Sequence, residues 1–170
     1  DRPGKEFDPI KQEASSRAIP VLQFKRMRDD EALQAFLETD SDLCVMAFVT
    51  DFVPSSILQA PKQGTIQYHP SMLPLHRGPS SINWPIIQGE AMTGISIFWP
   101  DDGLDTGPIL MQKAAAIGPD DTVGSLYYEK LFPLGVEAIT QAVTLIRQGK
   151  APKISQDQGS ATYESWCGSK

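Results

Sequence analysis

The sequence predicts an α/β domain built on a sheet that is at least partly parallel. Strand-like segments alternate with helix-like segments along the chain. Leu43 to Val49 is apolar without a break, as in a strand covered on both faces. His69-Pro70-Ser71 and Asp105-Thr106-Gly107 each follow a strand-like run. In open α/β sheets, ligands sit beyond such strand ends.

The elements follow from local signals. Asp1 to Asp8 is polar, holds Pro3 and Gly4, and reads as a loop. Asp8 caps a helix over Pro9 to Ser16, with Pro9 at its first position. Ile19 to Phe24 reads as a short strand. Asp29 or Asp30 caps a helix over Glu31 to Glu38, with Leu33, Phe36 and Leu37 on its apolar face. Leu43 to Val49 is the next strand, and Pro54 or Ser55 opens a brief helix over Ser56 to Leu58. Gly64 to His69 is a strand, and Pro70 to Pro79 is a loop. Ser81 to Gln88 is a helix with Pro85 near its first turn. Thr93 to Trp99 and Ile109 to Ala115 are strands around the loop Pro100 to Gly107. Asp120 or Asp121 caps a long helix over Thr122 to Arg147, which pauses at Pro133-Leu134-Gly135 and ends at Gly149. Residues 153–170 form an irregular polar tail, and residues 1–170 read as one domain.

Composition narrows the function classes. No apolar run reaches the ~18 residues of a membrane span. No basic-then-apolar leader opens the chain, and its first residue is Asp, so the chain reads as processed or as a piece of a longer one. Formal charge is −6, which argues against a nucleic-acid partner. The basic spots Lys25-Arg26-Arg28 and His76-Arg77 read as solvated faces. The two cysteines, Cys44 and Cys167, make no disulfide framework, so the chain reads as intracellular, and the cytoplasm is the expected compartment. Cys44 reads as a small buried residue. No metal-ligand spacing is present, and no metal is expected.

The candidate chemistry sits at the strand ends. Gln67 and His69 are two residues apart, so a strand turns both side chains to one face. The Gln67 amide could donate to a carbonyl oxygen while the His69 imidazole relays a proton. Taken alone, His69 also reads as a histidine capping a turn. Asp105 reads as a turn aspartate held by backbone amides.

The sequence between these residues adds a resemblance. His69-Pro70-Ser71-Met72-Leu73-Pro74 resembles the HPSLLP signature of enzymes that use 10-formyltetrahydrofolate. Asp101-Asp102-Gly103-Leu104-Asp105-Thr106-Gly107 resembles their second signature, a loop ending in an aspartate. Tyr68-His69-Pro70-Ser71, His76-Arg77-Gly78, Ser81-Ile82-Asn83-Trp84 and Ser96-Ile97-Phe98-Trp99 resemble the amino-terminal hydrolase domain of the 10-formyltetrahydrofolate dehydrogenases. The similarity runs from Gly4 to Glu164.

The resemblance implies a Rossmann-like formyltransferase fold: a mostly parallel sheet with helices on both faces. The family's amino-terminal strand–helix–strand is absent from this sequence, which reads as amino-terminally incomplete. The implied activity removes the formyl group from 10-formyltetrahydrofolate, the folate substrate. His69 would move the proton. Asp105 would orient His69, favour its charged form and hold the attacking water. Protonated His69 would stabilise charge growing on the formyl oxygen. Asp51, Phe52 and Val53 would touch the pterin. Asp101, Asp102, Gly103 and Leu104 would form the opposite wall, with Ser71 and Leu73 in the first signature also at the substrate. Transferases of this family carry Asn where this chain has Gln67, and the dehydrogenase-type hydrolase domain carries an apolar residue there.

The leading expectation is hydrolysis to tetrahydrofolate and formate. In a full-length dehydrogenase the formyl group would instead pass to a phosphopantetheine carrier domain. An NADP-dependent aldehyde dehydrogenase domain, an oxidoreductase, would then receive it. Formyl transfer to methionyl-tRNA is the runner-up, against which the acidic balance weighs. Transfer to another amine acceptor, glycinamide ribonucleotide or a sugar nucleotide, ranks below it. A non-catalytic folate-binding module is the alternative from another class.

Overall fold

The computed structural model describes residues 8–49 and 51–168. The loop expected over Asp1 to Asp8 lies outside them except for Asp8. Six α-helices are seen: α1 (Pro9–Ser16), α2 (Asp30–Glu38), α3 (Ser55–Leu58), α4 (Asn83–Ile87), α5 (Val123–Ser125) and α6 (Phe132–Arg147). A π-helical turn, Leu126–Leu131, joins the last two. The strands are β1 (Cys44–Met46), β2 (Thr65–His69), β3 (Met92–Phe98) and β4 (Ile109–Ala116).

The class is α/β, and the four strands form one sheet in the order β1-β2-β3-β4. The sheet is mixed rather than mostly parallel. β1 and β2 pair parallel, while β2 with β3 and β3 with β4 pair antiparallel. The link between β3 and β4 is shorter than the dozen or so residues a parallel crossover needs. Helices do cover both faces. α6 packs on β3 and β4 over Ile66, Tyr68, Ile95 and Ile97. On the other face α2 and α3 close over Met46, Val53, Ile57 and Leu58.

Local signals placed most elements. Asp8 caps α1 as expected, its carboxylate accepting from Ile10 N and Lys11 N at 3.1 Å each. The long helix starts one residue later than expected, because Thr122 rather than an aspartate makes the capping box with Ser125. Pro133 has no N–H to donate and its ring crowds the preceding turn, and the helix passes through a π turn just before it. Gly135 is a packing residue. A Cβ there would stand 2.6 Å from the Tyr68 ring. Gly149 ends α6 at φ 65.

Other expectations fail. Ile19 to Phe24 is not a strand. It contains Pro20, and among the described residues no segment pairs with it. The run Leu43 to Val49 shrinks to β1, and it is not covered on both faces: Val45 is 41% exposed and Phe48 65% exposed. Leu37 of α2 is also exposed, and Ala32 is the helix's buried residue. Cys44 is half-buried beside Thr65, and burial pushes its thiol pKa up.

Candidate active site

β2 carries Gln67 and His69 on one face, opposite Phe98 and Ser96 of β3. Ser96 then fixes the chain after His69. Its hydroxyl donates to Ser71 O at 2.7 Å and accepts from Leu73 N at 3.0 Å. Gln112 of β4 donates to Ser96 Oγ at 2.9 Å and to Leu73 O at 2.8 Å. The loop that leaves β2 is thus pinned by two side chains of the neighbouring strands.

That loop returns under the imidazole. His69 Nε2 donates to His76 O at 2.8 Å, since a carbonyl only accepts. The other ring nitrogen, Nδ1, lies 3.6 Å from Asp105 Oδ2. This is close for a charge contact and long for a direct hydrogen bond. Gly78 N holds the same Asp105 oxygen at 2.8 Å. Gly78 has φ 94, and a Cβ there would meet Glu164 O at 2.8 Å, so both backbone and space require glycine. Asp105 itself is held in the left-handed region at φ 55.

His69 and Asp105 are both buried. Burial lowers the His69 pKa below 6.5. Asp105 acts in the expected direction, raising it, as does the bond to His76 O, but burial outweighs both. The resting imidazole is therefore neutral at pH 7, with its proton on Nε2 and its lone pair on Nδ1. The protonated ring that the resemblance implies is the form this burial disfavours.

The tail completes this site, which sequence reading missed. His76 and Arg77 are not a solvated basic face: both are buried, Arg77 fully. His76 Nδ1 and Nε2 each lie 3.0 Å from a carboxylate, Glu164 and Glu90. Arg77 Nη1 donates to Gln158 Oε1 at 2.9 Å and to Tyr163 OH at 2.5 Å. Its Nη2 donates to Gln156 Oε1 at 2.7 Å. The tail, described to residue 168, holds a short 3-10 turn, Gln158–Ser160, and is bonded to the domain at several points. Ile154 pairs with Ile109, and Thr162 to Glu164 bracket Arg77. The signal in the sequence was the amide-rich stretch Gln156 to Gln158, which offers acceptors to a guanidinium.

The residues expected at the pterin divide. Phe52 and Leu104 are exposed at 64% and 56%. Asp51 accepts from Met27 N at 2.8 Å. Asp101 accepts from Gly103 N at 3.0 Å and Thr106 Oγ1 at 2.5 Å, closing its own loop. Gly103 lies against the Thr106 side chain, and Asp102 accepts from the Ser55 hydroxyl. Three side chains point elsewhere. Val53 is packed beneath α3, Leu73 lies against Phe98 and Ile109, and Ser71 is fully buried with its hydroxyl on Leu75 O. These three side chains are packed into the interior.

A cavity of about 500 Å³ is lined by Ser55, Leu58, Gly64, Trp99, Asp101 and Asp102, among others. It lies at the start of β2, the end away from His69, and neither His69 nor Asp105 lines it. Among the described residues no group of His, Cys, Asp and Glu could hold a metal ion. No described helix is long and apolar enough to cross a membrane.

The formyl transferase family matches residues 4–143, and the chain belongs to that family. Over 169 residues it is 46% identical to the mitochondrial 10-formyltetrahydrofolate dehydrogenase of Mus musculus, covering 96% of this chain and 18% of that protein. It is likewise 46% identical to the cytosolic 10-formyltetrahydrofolate dehydrogenase of Pongo abelii, covering 96% of this chain and 19% of the relative. The chain therefore spans less than a fifth of either relative's length. Among solved structures, phosphoribosylglycinamide formyltransferase from Anaplasma phagocytophilum superposes with TM-score 0.75 at 27% identity, covering 89% of this chain and 78% of that one.

Proposed function

We propose that this chain removes the formyl group from 10-formyltetrahydrofolate, with water as the acceptor. The observation that carries the reading is the His69 imidazole, anchored at Nε2 by His76 O, with its free Nδ1 facing Asp105. The folate substrate is supported by the relatives' names and by family membership. Catalytic roles for His69, Asp105 and Gln67 belong to this proposal.

The chemistry follows from the protonation state. A neutral imidazole with a lone pair on Nδ1 is a general base. A water held between Nδ1 and Asp105 gives its proton to Nδ1 as its oxygen bonds to the formyl carbon. The carbonyl electron pair moves onto oxygen, giving a tetrahedral oxyanion. Gln67, on the same face of β2, donates its amide N–H to that oxyanion; one such donor is worth about 3–4 kcal/mol in other enzymes. As the oxyanion collapses, the C–N10 bond breaks. N10 takes the proton from His69, leaving tetrahydrofolate and formic acid, which releases its remaining proton to solvent as formate. Asp105 keeps its charge throughout and stabilises the imidazolium.

In a longer protein of the relatives' kind, the proposed acceptor is a phosphopantetheine carrier arm, feeding an NADP-dependent aldehyde dehydrogenase domain. The cytoplasm is the proposed compartment, as for the cytosolic relative.

Release of tetrahydrofolate from 10-formyltetrahydrofolate, followed by ultraviolet absorbance, tests the proposal. His69→Asn and Asp105→Asn should each lower kcat by at least about 100-fold, in the range of lost general-base catalysis. Full turnover in either folded variant would refute it. Binding without turnover by the unaltered protein would identify a folate-binding module instead.

A further inference from the structure

The carboxyl-terminal tail carries one side chain that touches both halves of the site. Gln156 is buried. Its Oε1 accepts from Arg77 Nε at 3.2 Å and from Arg77 Nη2 at 2.7 Å. Its Nε2 donates to Asp105 O at 2.9 Å and to Gly107 O at 2.7 Å. All of the amide's polar capacity is thus committed, and the two ends serve different segments. Arg77 lies between His76, whose carbonyl holds the His69 ring, and Gly78, whose N–H holds the Asp105 carboxylate. Asp105 sits at φ 55, in the left-handed region that aspartate tolerates better than most L-residues.

From this two-sided clamp we infer that Gln156 is a positioning residue, setting the Asp105 carboxylate against His69 Nδ1. This inference rests on the proposed roles of His69 and Asp105. The orientation of the amide gives it direction. The oxygen must face the guanidinium and the nitrogen must face the two carbonyls, because the reverse would set donor against donor and acceptor against acceptor. No other natural side chain of that length offers an acceptor at one side and two donors at the other. A Glu would satisfy Arg77, and more strongly, but would set a carboxylate oxygen against Asp105 O and Gly107 O. Arg77 binding and Asp105 placement are therefore separable by one substitution.

The test uses the intact protein with 10-formyltetrahydrofolate. Gln156→Glu keeps the bond to the guanidinium and is expected to fold. Its kcat should fall about 10- to 100-fold, as expected of a reacting group displaced by about 1 Å, with KM within about threefold. Gln156→Asn adds no charge but falls one methylene short. In it the acid limb of the kcat profile should move to lower pH, because Asp105 no longer supports the imidazolium. The other groups acting on His69, His76 and Glu164, are unchanged in both variants. Gln158→Ala, which removes an Arg77 acceptor without touching residues 105–107, should lose stability and keep kcat.

The assignment is overturned if Gln156→Glu and Gln156→Asn keep the unaltered kcat and pH profile. It is overturned if kcat falls only with the folded fraction read by circular dichroism, or if neither variant folds. His69→Asn runs alongside. If that variant stays fully active, the proposed function fails; if it is inactive while both Gln156 variants are normal, only the role of Gln156 fails.

Discussion

A histidine at the end of a strand is placed by its backbone but tuned by what surrounds it. His69 is buried, and burial lowers its pKa below 6.5 against the opposing pull of Asp105. Two outcomes follow. Activity that depends on neutral His69 should rise with pH along a limb below 6.5 and be level at neutrality. Stability should behave similarly. Between 6.5 and the lower folded value, the unfolded chain binds a proton that the folded chain refuses, so stability falls as the pH drops through that window. Chemical denaturation of the unaltered protein and His69→Asn at pH 7.5 and pH 5.5 checks this. The unaltered protein should lose more stability on acidification than the variant; equal losses would contradict a neutral buried ring.

Elements obeyed local rules where the signal was local. The Asp8-Pro9 start of α1, the Gly149 stop of α6 and the strand β2 are all within a residue or so of their sequence-based bounds. Where an element depends on a partner, the sequence misled. Ile19 to Phe24 has strand-forming residues but no pairing partner among the described residues. Gly135 shows the same dependence in reverse. Its place beside Pro133 suggested a pause, yet α6 runs through it and the missing side chain makes room for Tyr68. Gly135→Ala should therefore destabilise the protein by about 1–3 kcal/mol, overpacking outweighing the ~1 kcal/mol that alanine gains in a helix. A urea titration reads this directly; an unchanged or raised midpoint would show that Tyr68 simply moves aside.

Across the whole molecule, the tail behaves as a structural part rather than an appendage. It supplies three acceptors to the fully buried Arg77 and a backbone pair to the edge strand β4. A buried guanidinium stripped of its acceptors is among the costlier defects a protein can carry. Ending the chain at Lys153 should cost about 3–5 kcal/mol by denaturant unfolding. A truncated chain as stable as the full one would mean that Arg77 finds water instead.

The sequence by itself determined the α/β class, most helix and strand positions, and the residues that mark the family. All of these are written in short-range patterns: caps, periodicity, and contiguous motifs such as His69 to Pro74. It also determined that Gln67 and His69 share a face, because strand geometry alternates side chains. Only the tertiary structure decided that two of the three strand pairings are antiparallel. It alone showed that Ser71, Leu73 and Val53 turn inward, that burial keeps His69 neutral, and that Gln156 joins the two loops of the site. Pairing direction, desolvation and hydrogen bonding across fifty or more residues depend on which segments come to lie side by side, and no local pattern encodes that.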